Sequence, residues 1–81
     1  MLSVVMPGHR IEPHVDLQPP KWRTRVHVPL RSNERAWFKS GAVPIVMQVG
    51  HAYMVNTRDQ HEIWNDGETP RVHFMFDVVK A

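Results

Sequence analysis

Short strand-like runs recur along this chain, and no stretch of ten or more residues has the apolar spacing that an amphipathic helix requires. Turn-forming Pro, Gly, Asn and Asp residues separate these runs at intervals of about ten residues. A chain of 81 residues has room for a single domain, residues 1–81, with a small core. The pattern therefore predicts an all-β fold of short strands without flanking helices, most naturally a jelly roll.

The composition narrows the classes of function. The chain has no cysteine, so any metal must be held by His, Asp or Glu. Its formal net charge is only +2, and Lys and Arg do not form the basic stripe of a nucleic-acid interface, so we expect no nucleic-acid partner. No apolar run approaches the roughly 18 residues of a membrane helix, and the N-terminal run lacks the basic flank of a signal peptide. We therefore expect a soluble cytoplasmic protein without membrane association.

Two segments that lie far apart in the chain carry candidate metal ligands. His14 and Asp16 stand two positions apart, so their side chains share one face of an extended strand, and His61 follows 45 positions after Asp16. Two imidazoles and one carboxylate form the facial triad that holds non-haem Fe(II) and leaves coordination positions open. The alternatives are that Asp16 caps the turn before a proline-rich loop and that His61 is a surface histidine.

Arg71 follows His61 by ten residues. A guanidinium can hold a carboxylate with two parallel hydrogen bonds, as a 2-oxo-acid co-substrate requires. The combination of the three candidate ligands with this arginine favours a metal and oxo-acid site. The alternative for Arg71 is a surface position at a hairpin turn.

The last strand-like run, residues 71–79, has two different faces. One face carries Arg71, His73, Met75 and Asp77. The opposite face is apolar and consists of Val72, Phe74, Phe76 and Val78. If the polar face lines a pocket, the apolar face points outward with no helix to cover it. A homodimer packed through this face is the expected arrangement, and flanking segments of a longer protein are the alternative.

Arg25 and His27 alternate with valines on an earlier run. By the same reasoning we expect both to face the pocket, the alternative being that they face solvent. The remaining histidines, His9, His51 and His73, have no surrounding pattern and are interpreted as non-ligands.

These residues occur in segments that resemble the aspartyl/asparaginyl β-hydroxylase family of Fe(II)- and 2-oxoglutarate-dependent oxygenases. The resemblance covers nearly the whole chain and rests on MPGHRIEPH at 6–14, RTRVHVPL at 23–30, HEIWND at 61–66 and PRVHFMFDV at 70–78. It implies a cupin-like, double-stranded β-helix fold. It also implies that His14 and His61 bind iron and that Arg71 pairs with the distal carboxylate of 2-oxoglutarate. Three further residues are implied to lie near this co-substrate: Arg25, His27 and Ser3.

Asp16 is a departure from part of this family. The members that hydroxylate Asp or Asn side chains typically have glycine at this position, so the complete triad is closer to relatives that hydroxylate free amino acids such as proline. The implied function is a dioxygenase that uses Fe(II), 2-oxoglutarate and O₂ to hydroxylate an amino acid or an Asp/Asn side chain of a peptide. Since the helices that flank the family's sheets have no counterpart here, the alternative is a truncated or non-catalytic cupin-like metal-binding protein.

Overall fold

The computed structural model describes residues 1–15 and 23–79, and in this part of the chain it confirms the predicted all-β fold. The strands, numbered β1 to β8 in chain order, are Leu2–Val5, Arg10–His14, Arg23–Arg31, Ala36–Ser40, Pro44–Ile45, Tyr53–Val55, His61–Asn65 and Arg71–Val79. No helix that is long and apolar enough to cross a membrane occurs among the described residues.

The strands form two antiparallel sheets of four strands each. Sheet I has the order β1-β8-β3-β6, and sheet II has the order β2-β7-β4-β5. The long strands β3 and β8 pair at the centre of sheet I. Because β1 and β8 are also neighbours, the beginning and the end of the described chain meet in one sheet.

Strand β8, at the centre of sheet I, buries polar side chains and exposes apolar ones. Arg71 and His73 on β8 are each 2% exposed, whereas Phe74 and Phe76 on the same strand are 41% and 44% exposed. Successive side chains of a strand point to opposite faces, so the polar face of this strand lies inside and the apolar face lies outside.

The apolar core occupies only part of the interior. Its buried members are Val5, Phe38, Met47, Val55 and Ile63, and Tyr53 packs against them. Both sheets contribute to this cluster, so it holds the two layers together by removing apolar surface from water.

Asn65 provides a second, polar connection between the sheets. It ends β7 and is fully buried, with 0% of its surface exposed. Its Nδ2 group donates to the carbonyl oxygens of Val5 and Thr69, both at 2.9 Å. Its Oδ1 accepts from the Gly67 backbone N–H at 2.9 Å and from Asn33 Nδ2 at 3.2 Å. Because Val5 belongs to β1, this one side chain ties sheet II to sheet I.

The turn after β7 has no room for a side chain at Gly67. A Cβ atom there would overlap the side-chain amide of Asn33. That amide is itself fixed, since its Nδ2 donates to the Thr69 carbonyl at 2.9 Å and its Oδ1 accepts from the Arg35 N–H at 2.8 Å. Close approach of neighbouring groups therefore selects glycine at this position.

We expect Asn65→Ala to lower the free energy of unfolding by about 3 kcal/mol, because the Val5 carbonyl and other buried backbone groups lose their partners. Urea denaturation measures this change. Asn56→Ala is the matched control, since Asn56 is exposed and accepts from the Arg58 N–H at 3.0 Å. An equal loss in both variants would contradict the role assigned to Asn65.

The predicted homodimer would pack through the outer face of sheet I, which is exposed in the single chain. Its exposed apolar members are Leu2, Val4, Met54, Phe74, Phe76 and Val78. Large apolar patches of this kind are typical of interaction sites. We expect wild-type protein to associate at micromolar concentration and Phe74→Glu to weaken that association, as measured by sedimentation velocity. Val43→Glu, at another exposed valine, serves as the control. Monomeric wild-type protein would contradict the expectation.

Candidate active site

His14 and His61 come together across the pair of strands β2 and β7. The two residues are directly opposite each other, and their ring centroids are 4.3 Å apart. Side chains in opposite positions share one face of the sheet. The two histidines that the sequence singles out therefore form one pair, with His61 buried and His14 exposed at the sheet edge.

A bulge in β2 produces this pairing. Ile11 is opposite Ile63 and His14 is opposite His61, so three steps along β2 match two steps along β7. In a regular strand, residues three positions apart point to opposite faces, and the extra residue of a bulge restores the shared face. Pro13 explains the position of the bulge, because proline has no N–H for the ladder and occurs in strands at edges or bulges.

Hydrogen bonds fix the tautomers of both rings. His14 Nδ1 donates to the Glu12 carbonyl oxygen and His61 Nδ1 donates to the Asp59 carbonyl oxygen, each at 2.8 Å. A carbonyl oxygen only accepts, so each Nδ1 carries a proton, and in the neutral ring Nε2 is the nitrogen with the lone pair. Metal-binding histidines are commonly anchored through their other ring nitrogen in this way. The pair therefore fits a divalent metal that takes nitrogen ligands.

Asp16, the predicted third ligand, lies outside the described residues. Within residues 1–15 and 23–79, no set of three His, Cys, Asp or Glu side chains could hold a metal ion. The described part of the chain thus supplies two of the three predicted ligands.

Arg71 lies on β8, in the opposite sheet, with its guanidinium buried. Nη1 donates to Ser3 Oγ at 3.2 Å, and Nη2 donates to His73 Nδ1 at 2.9 Å. No carboxylate among the described residues forms an ion pair with it. Burial lowers the pKa of Arg71 to about 10, so the group stays positive at neutral pH. A buried cation without a counter-charge is unfavourable, which makes this site suitable for an anion.

His27 and His73 complete the polar cluster around Arg71. Their Nδ1 atoms are 3.1 Å apart, and both side chains are buried. Burial, together with the nearby charge of Arg71, lowers the pKa of His73 to about 3 and that of His27 to about 4. Both imidazoles are therefore neutral at pH 7, and Arg71 is the positive charge at the centre of the cluster.

Sequence reasoning placed His27 and Ser3 at this site and put His73 on the same strand face as Arg71 without giving it a role. The interpretation of His73 as a non-ligand is not altered, because its Nδ1 accepts a hydrogen bond from Arg71. Its hydrogen bonds to Arg71 and His27 were not predicted, since a shared strand face does not specify which side chains bond to each other.

Arg25 faces the same interior but is engaged with a carboxylate. It is opposite Asp77, with Nε 2.9 Å from Oδ1 and Nη2 3.4 Å from Oδ2. It also contributes to the lowered pKa of His27. Arg25 therefore adds positive charge beside the cluster, while a large part of that charge is compensated by Asp77.

Phe38 separates the histidine pair from the arginine cluster. Its ring stacks on His61 with centroids 6.0 Å apart and meets the edge of His27 at 5.9 Å. Because Phe38 and His61 belong to sheet II and His27 to sheet I, the two groups face each other across the interior.

A cleft with a volume of about 440 Å³ opens beside the histidine pair. It is lined mainly by polar residues from the ends of β4 and β7: Pro13, Lys39, Ser40, Gly41, Asp59, Gln60, His61 and Glu62. This space next to a candidate metal ligand can admit a small polar molecule.

Because His27 and His73 are buried as neutral imidazoles, we expect the free energy of unfolding to decrease in acid. Unfolded histidine has a pKa near 6.5, above the folded values of about 4 and 3 for His27 and His73. As pH falls between these values, the unfolded state binds protons that the folded state does not, so the free energy of unfolding decreases. We expect a slope of up to about 1.4 kcal/mol per pH unit for each histidine. Urea denaturation in the presence of a chelator should show a smaller slope for His73→Asn than for the exposed control His51→Asn. Equal slopes would contradict this assignment.

Comparison with solved structures shows similarity to the crystal structure of TT1209 from Thermus thermophilus, with a TM-score of 0.71 and 17% sequence identity. The match covers 95% of this chain and 68% of that chain, and at this identity it establishes a shared fold alone. No curated protein matches this chain. The family described as Aspartyl/Asparaginyl beta-hydroxylase matches residues 1–81, which confirms the resemblance seen in the sequence. The chain therefore belongs to the aspartyl/asparaginyl β-hydroxylase family.

Proposed function

We propose that this chain is a dioxygenase domain that binds Fe(II) and 2-oxoglutarate and uses O₂ to hydroxylate an amino acid or an Asp/Asn side chain of a peptide. The observation that carries the proposal is the buried guanidinium of Arg71, which has no carboxylate partner among the described residues and shares the interior with the His14–His61 pair. Family membership supports an oxygenase-like activity in general.

The strand order supports a jelly roll, the cupin-like double-stranded β-helix of this proposal. Apart from the hairpin of β4 and β5, consecutive strands lie in opposite sheets. Eight strands connected in this manner between two facing sheets are typical of a jelly roll. The polar interior of sheet I then corresponds to the ligand pocket.

The proposed iron ligands are His14, Asp16 and His61. The bare Nε2 atoms of the two histidines are suited to a divalent metal, and the carboxylate of Asp16 would supply the oxygen ligand of the triad. The carbonyl groups of Glu12 and Asp59 hold the rings in the tautomer that a metal requires.

The proposed 2-oxoglutarate site consists of Arg71 and Ser3, with His27 and Arg25 forming its surroundings. Of the five N–H groups of a guanidinium, Arg71 uses two in the hydrogen bonds to Ser3 and His73, which leaves three for a ligand. Ser3 Oγ accepts from Arg71 and can donate its own proton to a carboxylate. Bound Fe(II) and 2-oxoglutarate together supply the activation of O₂ that hydroxylation needs.

The protein would position the metal and the 2-oxoglutarate and exclude water from the space between them. Facing sheets lie roughly 10 Å apart, a separation that a five-carbon dicarboxylate can span between a metal on sheet II and a guanidinium on sheet I. The ring of Phe38 fills part of this space and keeps the interior between the two groups apolar.

The substrate would occupy the cleft beside His61. Lys39 offers a positive charge there and Asp59 a negative one, so the cleft has partners for both ends of an amino acid, while Glu62 is already paired with Arg10 at 3.4 Å. Asp16 favours free amino acids over side chains of peptides. Turnover of 2-oxoglutarate against a panel of free amino acids and Asp/Asn peptides identifies the substrate class.

The second candidate is a cupin-like metal-binding protein without catalysis. The chain matches 68% of the length of TT1209, and a core of this kind that binds a metal without catalysis is the alternative. An anaerobic mixture of the protein with Fe(II) and 2-oxoglutarate separates the two candidates. The proposal requires a weak visible charge-transfer band, whereas a metal-binding protein that takes no oxo-acid lacks it.

We expect Arg71→Ala to weaken 2-oxoglutarate binding by about a hundredfold, since the ligand loses a buried charge-assisted contact. Iron affinity should stay close to that of the wild type, because Arg71 lies in the sheet opposite the histidine pair. Anaerobic titration of each ligand measures both values. Arg58→Ala, at an exposed arginine, should change neither. A parallel loss of iron and 2-oxoglutarate affinity would refute the assignment of Arg71 and indicate a folding defect.

A further inference from the structure

The hydrogen bonds of the buried cluster allow only one arrangement of protons. We propose that His73 is a positioning residue of the anion site: its bare Nδ1 holds the guanidinium of Arg71 and also fixes the tautomer of His27. This inference rests on the proposed function, because it assigns the cluster to the binding of an oxo-acid.

The first step follows from the chemistry of arginine. Nη2 of Arg71 lies 2.9 Å from Nδ1 of His73. A guanidinium has only donors, so the imidazole nitrogen must accept. A proton on Nδ1 of His73 would point two N–H groups at each other over this short distance. Neutral His73 therefore carries its proton on Nε2.

The second step extends the same reasoning to His27. Its Nδ1 lies 3.1 Å from Nδ1 of His73, and the rings meet at an interplanar angle of 90°. Because Nδ1 of His73 is bare, a hydrogen bond between the two atoms requires the proton on Nδ1 of His27. The single lone pair of this nitrogen is thus shared by two donors, the guanidinium and the neighbouring imidazole.

The third step concerns what the cluster offers a ligand. With its proton committed to His73, neutral His27 has only an acceptor at Nε2, and it cannot donate to a carboxylate from that atom. The donors for a carboxylate are then the remaining N–H groups of Arg71 and the hydroxyl of Ser3. His73 itself gives no contact to the ligand, and its effect passes through Arg71.

The strand positions of Ser3, Arg71 and His73 support the positioning role of His73. Ser3 is directly opposite His73 on the neighbouring strand, and Arg71 lies two residues before His73 on the same face. Arg71 is therefore held from two sides by acceptors that stand on adjacent strands, which limits the rotation of its planar group. An apolar residue at position 73 would fill the space but would leave one side of the guanidinium without a partner.

Ring-nitrogen NMR tests the proton arrangement without any ligand. Long-range ¹H–¹⁵N spectra of the histidine-labelled protein should show the proton of His73 on Nε2 and that of His27 on Nδ1. In His73→Leu, the preference of His27 for Nδ1 should weaken, because its acceptor is gone. A proton on Nδ1 of His73, or on Nε2 of His27 in the wild type, overturns the proposal.

A set of three variants tests the positioning role through ligand binding. Asparagine places Oδ1 near the location of Nδ1, whereas glutamine places its amide near Nε2 and leucine has no acceptor. In anaerobic titrations of the Fe(II) protein with 2-oxoglutarate, His73→Leu and His73→Gln should weaken binding about tenfold or more, and His73→Asn should stay within about threefold of the wild type. Iron affinity should be the same in all three. Equal weakening in the Asn and Leu variants overturns the proposal.

The two measurements separate this inference from the proposed function. Wild-type protein that shows the expected ring protonation but does not bind 2-oxoglutarate refutes the oxo-acid function and leaves the arrangement of His73, Arg71 and His27 intact. Protein that binds 2-oxoglutarate but shows the opposite ring protonation refutes the role of His73 alone.

Discussion

The buried positive charge of Arg71 is the constraint on which the rest of sheet I depends. A guanidinium removed from water needs acceptors on every accessible side, and none of them can be another cation. Ser3 and His73 meet part of this requirement as neutral acceptors, and burial together with the charge of Arg71 keeps His73 and His27 uncharged. Because successive side chains of this strand point to opposite faces, the exposed Phe74 and Phe76 lie on the side opposite Arg71 and His73.

The two sheets divide the candidate chemistry between them. Sheet II presents the paired imidazoles and the neighbouring cleft, and sheet I presents the polar cluster around Arg71. Their relative position is set by the shared apolar core and by Asn65, whose amide reaches from β7 to the backbone of β1. A change in the packing around Phe38 would alter the separation of the two groups that, in the proposed function, act on one co-substrate. In a site built on one loop, a single segment sets the geometry. Here the geometry depends on how the two sheets pack against each other.

The alternation of polar and apolar residues was sufficient to predict the strands and the inward face of β8, because side-chain direction in a strand follows sequence parity. Long apolar runs were less informative: the run from Val43 to Val49 contains only the short strand Pro44–Ile45. Hydrogen bonds between distant residues could not be predicted, since Asn65 and Val5 are separated by 60 positions. The same holds for the contact of His27 with His73, which depends on register and ring orientation. Asp16 lies outside the described residues, so its place in the triad stays a prediction.

The bulge in β2 has a consequence beyond the alignment of two rings. Glu12 and Pro13 have no partner in the ladder, so the carbonyl of Glu12 can accept from the imidazole two residues later. A β2 shortened by one residue would keep a histidine opposite His61 in a regular strand, but it would return that carbonyl to the sheet and leave the ring without its anchor. The irregularity thus fixes the tautomer of the candidate ligand His14.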